Sequence, residues 1–175
     1  MTPSQLRATL KLRAFPPHGI ADVQRRTVAR LHRLADVGTL ATIDVDVWGS
    51  HAVADSMTDH ECAASTEAVS DFERWAESRG YTLAPAFAYR ECGSMIDDET
   101  REVTVVPLVT LAVYEGDRLE AVYPHADGDR VRTVGDGIEA LEAMAPPSDD
   151  RSDDPARERD PSENRGERLL VTPGR

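Results

Sequence analysis

The run from Val103 to Tyr114 is nearly all apolar and is closed by Glu115-Gly116-Asp117. A stretch like this has no polar side to turn toward water, so it reads as a central strand covered on both faces, entered through Val106-Pro107. The Glu-Gly-Asp triplet then turns the chain into a further strand, Arg118 to Tyr123, which makes a hairpin. A strand buried on both sides needs layers above and below it, and the rest of the sequence supplies candidates.

Residues 6 to 15 alternate, with Leu6, Ala8, Leu10, Leu12 and Ala14 opposite Arg7, Thr9, Lys11 and Arg13, the pattern of a half-buried strand. Pro16-Pro17-His18-Gly19 breaks it. A helix follows in which Ile20, Val23, Thr27, Leu31 and Leu34 recur at three and four residues, ending at Gly38. Ile43, Val45 and Val47 alternate with Asp44, Asp46 and Trp48 in a second strand that stops at Gly49-Ser50. Thr58 and Glu61 have capping-box spacing and open a helix whose apolar face is Cys62, Val69, Phe72 and Ala76, ended by Gly80. Tyr81, Leu83, Phe87 and Tyr89 suggest a third strand. Pro85 puts that strand at an edge or a bulge, because proline cannot donate a ladder hydrogen bond. Gly93 to Glu102 reads as a polar loop, and Thr133 with Asp136 caps a last helix containing Val134, Ile138, Leu141 and Met144.

The order is βαβ-α-βββ-α, one α/β (α+β) domain of two or three layers over residues 1–145. It resembles the thioredoxin-like arrangement with an extra strand inserted at 81 to 103; a ferredoxin-like sandwich is the alternative. Where that family carries its redox cysteine pair this chain has Pro17-His18-Gly19-Ile20, so thiol-disulfide exchange by that route is excluded. From Pro146 onward the chain is proline-rich, of mixed charge and almost free of apolar residues before Leu169. It reads as a disordered tail that cannot offset its ordering entropy.

Charge narrows the function. There are 32 acidic residues against 20 basic ones, a net −12, and Lys11 is the only lysine, a composition suited to molar salt. At about 1 M ionic strength the Debye length is about 3 Å, so local patches matter more than net charge. Residues 1–35 carry seven basic side chains against Asp22 alone, a net +6, which leaves −18 on the remainder. Arg13, Arg25, Arg26, Arg30 and Arg33 are therefore the expected phosphate contacts, helped by Arg7 and Lys11. The competing reading is an exposed helix face that holds carboxylates from elsewhere in the chain.

Other chemistry is thinner. His51, Asp55, Asp59, His60, Glu61 and Cys62 crowd together without a recognised metal-ligand spacing, and no cofactor is expected. His125-Ala126-Asp127-Gly128-Asp129 has a composition usable for acid-base work but is also ordinary turn material. Trp48 and Trp75 read as base-stacking or as packing residues. Cys62 and Cys92 are too few for a disulfide framework; with no apolar span and no signal segment, a cytoplasmic, membrane-free chain is expected. With no phosphate loop, nucleophile elbow or metalloprotease motif, an enzyme is not favoured.

The segments Val47-Trp48-Gly49, Phe72-Glu73-Arg74-Trp75-Ala76-Glu77, Leu111-Ala112-Val113-Tyr114-Glu115-Gly116 and Asp127-Gly128-Asp129-Arg130-Val131-Arg132-Thr133-Val134 resemble a family of haloarchaeal proteins labelled helix-turn-helix domain proteins. The likeness implies a halophilic cytoplasmic protein that binds DNA. A helix-turn-helix joins two helices by a turn of three or four residues; here a strand lies between the first two helices, and no recognition helix can be named. The expectation is a non-enzymatic DNA-binding or regulatory protein. Its rival is a non-redox thioredoxin-like module that binds another protein or a small ligand, marked by a cis Pro107 beside a closed pocket.

Overall fold

The computed structural model describes residues 6–49, 51–53, 60–93 and 100–146. The expected tail beyond Pro146, Thr58, and the side chains of the His51 to Cys62 cluster and of Cys92 lie outside the described residues.

In chain order the elements are β1 (Leu6–Arg13), α1 (Ile20–Asp36), β2 (Leu40–Trp48), β3 (His51–Val53), α2 (His60–Arg79), β4 (Ala88–Gly93), β5 (Thr100–Val105), β6 (Val109–Glu115), β7 (Arg118–Tyr123), β8 (His125–Asp127), β9 (Arg130–Arg132) and α3 (Val134–Ala143). The main sheet has the order β2-β1-β6-β7. Its β1 and β2 are parallel and joined through α1, while β6 runs antiparallel to both β1 and β7. A second antiparallel sheet has the order β3-β5-β4, and β8-β9 is a short ribbon.

Alternation along β1 and β6 divides the apolar residues between the two faces of the main sheet. Ala8, Leu10, Leu111 and Val113 pack with Leu31 and Leu34 of α1 and Ile138 and Leu141 of α3. On the opposite face Ala112 and Val122 meet Val69, Phe72, Trp75 and Ala76 of α2, joined by Trp48, Leu83, Phe87 and Val106. The α/β reading holds, with helices on both sides of a mixed sheet.

Three expectations about elements need correction. The run 103–114 is not one strand. It breaks at Val106-Pro107-Leu108, so that β5 belongs to the small sheet and only β6, with Thr110 to Val113 buried, is the covered central strand. Tyr81 to Tyr89 is not a strand over its length. Thr82 makes a single antiparallel bridge to Ala126; the Phe87 N–H then donates to the Leu83 carbonyl at 3.0 Å, a turn that drops both side chains into the core, and β4 begins at Ala88. The polar loop at 93–102 is shorter than expected, because β5 starts at Thr100 and forms a hairpin with β4. The cis peptide bonds among the described residues are Ala84–Pro85 and Tyr123–Pro124, so the cis proline expected of the rival module is not at Pro107.

Candidate nucleic-acid interface

Helix α1 begins where Gly19, at φ 86°, turns the chain out of Pro16-Pro17; a side chain at that φ would clash with its own backbone. Asp22 in its first turn and Arg33 in its last both suit the helix dipole. The inward stripe is Gln24, Val28, Leu31 and Leu34, while Val23, which periodicity places inside, is 50% exposed. Gln24 takes the inward place because its amide satisfies two main-chain carbonyls, those of Arg13 at 3.3 Å and Leu108 at 3.1 Å. This turns Arg25, Arg26, His32 and Arg33 outward.

The five arginines expected to contact phosphate do not share one environment. Arg25 is paired with Asp22. Arg30 forks onto Glu142 of α3, Nε donating to Oε1 at 3.0 Å and Nη2 to Oε2 at 2.7 Å. That fork raises the Arg30 pKa and holds the Glu142 carboxyl below its ordinary range, with Arg33 adding to the latter electrostatically. Arg13, Arg26 and Arg33 have no ion pair among the described residues.

The helping strand face is occupied. Arg7 lies 3.9 Å from Asp44 and over the Tyr114 ring at 4.7 Å. Lys11 bonds Asp46 at 3.2 Å and sits 5.6 Å from the Trp48 ring. Both belong to the α2 side of the sheet, because β1 is a central strand with a layer on each side. The tryptophans are packing residues: Trp48 meets Phe87 edge-on, and the Trp75 indole donates to the Glu120 carbonyl at 3.0 Å.

His125 is 6% exposed and stacked on Tyr81 at 4.8 Å, with Trp75 and Tyr123 against it. Its Nδ1 lies 2.6 Å from the Val122 carbonyl, which makes Nδ1–H the donor. Asp127-Gly128-Asp129 forms the β8–β9 turn, with Gly128 at φ 57°. These rings, with Arg79, Arg132 and Asp136, line an open cleft of about 340 Å³.

Phe15 carried no signal in the sequence. It falls between an alternating strand and a Pro-Pro break, and neither pattern says which way it points. In the structure it is 98% exposed, at φ 51°.

The helices do not form a helix-turn-helix. Residues 37–59, with β2 and β3, separate α1 from α2, and β4 to β9 separate α2 from α3. Among the described residues α1 meets α3 only through space, on one face of the sheet and through the Arg30–Glu142 fork. No described helix is long and apolar enough to cross a membrane. No curated protein and no solved structure matches the chain. A family model described as a helix-turn-helix domain matches residues 1–146, and the chain belongs to that family.

Proposed function

We propose that this chain is a non-enzymatic DNA-binding regulatory protein that meets phosphates through the outer side of α1 and the end of β1. The carrying observation is family membership combined with Arg13, Arg26 and Arg33, cations without ion-pair partners among the described residues, in a segment of net +6. Because no two described helices are joined by a short turn, the contact is assigned to a charged surface rather than to a recognition helix in the major groove. Phosphate contacts of this kind set orientation and affinity without reading bases. Arg30 plays a different part, since its fork on Glu142 fastens α1 to α3.

The test is a titration of fluorescent duplex DNA across a KCl series. Each phosphate neutralised contributes about −0.9 to the slope of log K against log salt. The combined change Arg13→Ala, Arg26→Ala and Arg33→Ala is expected to make the slope shallower by about 2 to 3. Arg30→Ala alone is expected to act on stability more than on the slope. Absence of saturable binding by the folded native chain at every salt concentration overturns the proposal.

A second reading, a module that binds a small ligand, is favoured by the aromatic-walled cleft beside β7. It requires quenching of Trp75 fluorescence by aromatic carboxylates such as benzoate, with Trp75→Phe abolishing the signal.

A further inference from the structure

No other large apolar side chain in the described structure is more than 67% exposed, whereas Phe15 is 98% exposed. Its φ of 51° lies in the left-handed region, where a bulky residue is an outlier, and it precedes Pro16, whose ring restricts it further. The loop is not frayed. The Arg13 N–H donates to the Leu108 carbonyl at 3.0 Å and the Ala14 N–H to the Trp48 carbonyl at 2.9 Å. Gln24 holds the Arg13 carbonyl, and the Ile20 N–H donates to the Pro17 carbonyl at 3.1 Å. The ring thus stands in water on a base clamped from both sides.

A single exposed apolar residue is ordinary. One held out by an unfavourable backbone conformation contributes nothing to folding and points to a use outside the fold. Charge selects the partner. Arg13 stands two residues before Phe15, His18 is exposed three residues after it, and among the described residues neither Arg13 nor Arg26 of α1 has an ion pair. An apolar ring projecting from a segment of net +6 matches the way proteins insert a side chain between base steps while basic groups of the same segment hold the phosphates.

We infer that Phe15 is a wedge that enters duplex DNA between two base pairs, with Arg13 and Arg26 on the flanking phosphates. This rests on the DNA-binding reading above. The test uses the full chain and duplexes that carry 2-aminopurine at successive positions, comparing native protein with Phe15→Ala, Phe15→Leu and Arg26→Ala, with circular dichroism to confirm folding. The native chain is expected to raise 2-aminopurine fluorescence at a position it unstacks. Phe15→Ala loses that rise and roughly 5- to 150-fold in affinity, the range of one aromatic stack on a base. Its salt slope stays unchanged because no phosphate contact is removed, whereas Arg26→Ala makes the slope shallower. Phe15→Leu, still an apolar wedge, recovers most of both signals. Unchanged affinity in folded Phe15→Ala, or native binding without any fluorescence rise, overturns the wedge and leaves the arginine surface standing. Failure of the native chain to bind DNA overturns both.

Discussion

Phe15 holds its left-handed φ of 51° at a cost of about 1–2 kcal/mol, because Cβ crowds the following carbonyl in that region. Glycine has no such crowding. Phe15→Gly is therefore expected to stabilise the protein by about 1 kcal/mol, net of the extra freedom glycine has when unfolded, and to raise Tm by about 2–4 °C. Phe15→Ala keeps the strain and should melt close to the native protein. A gain in Tm with a loss of DNA affinity in the glycine variant would separate the residue's two roles; equal or lower Tm would mean that the conformation is not strained. Gly137 makes the opposite argument. A Cβ there would stand 2.5 Å from Cδ2 of Tyr123, so that ring, which packs against His125 at 5.2 Å, would have to shift to admit it. Gly137→Ala should destabilise by about 1–3 kcal/mol through overpacking, only partly offset by alanine's better helix propensity. Thermal unfolding decides between that and a neutral change.

At the scale of elements, α3 owes its start to a reciprocal cap: Thr133 accepts from the Asp136 N–H, and Asp136 accepts from the Thr133 N–H. Hydrogen bonds from the Thr133 side chain first, then from its backbone, hold the Asp136 carboxyl below its ordinary pKa. A depressed folded pKa means that the stabilisation is present above the unfolded value, near about 3.9, and is lost as pH falls through the folded value. Thr133→Ala should cost about 1 kcal/mol near neutral pH, with the gap to native narrowing in acid. A constant gap down to the acid transition would show that the carboxylate takes no part. This cap was legible in the sequence because its two groups lie three residues apart. So were α1 and the β6–β7 hairpin, whose signals are equally local. What escaped was settled by distant residues. Gln24 replaces Val23 on the inner face of α1 because the Leu108 carbonyl waits there, and Arg30 leaves the phosphate-facing set because Glu142 reaches it from α3. The run 103–114 divides because its halves pair with different strands, β4 on one side of Pro107 and β1 on the other. The exposure of Phe15 has no sequence signature at all.

Over the whole molecule, the net −12 is not a property of the far C-terminal segment. Residues 147–175 carry eight acids against six arginines, a net −2, so −10 belongs to residues 1–146. Repulsion within that part opposes the compact state at low salt and is screened as the Debye length shrinks from about 10 Å at 0.1 M to about 3 Å at 1 M. Screening also weakens attractive pairs such as Arg7–Asp44 and Arg74–Asp71, but exposed pairs are worth about 0–1 kcal/mol each. The Arg30–Glu142 fork, with two aligned hydrogen bonds, is less sensitive to salt than these single contacts. Stability should therefore rise with KCl and level off near 1 M, while DNA affinity falls over the same range as phosphate contacts are screened. The two trends meet in a window where the chain is folded and still binds, and the wedge would matter most at its upper end, since apolar insertion does not weaken with salt. Melting curves from 0.1 to 3 M KCl, run beside the DNA titration, test this directly. A Tm that falls with salt would mean that the ion pairs outweigh the repulsion, and the high-salt half of the window would then be closed.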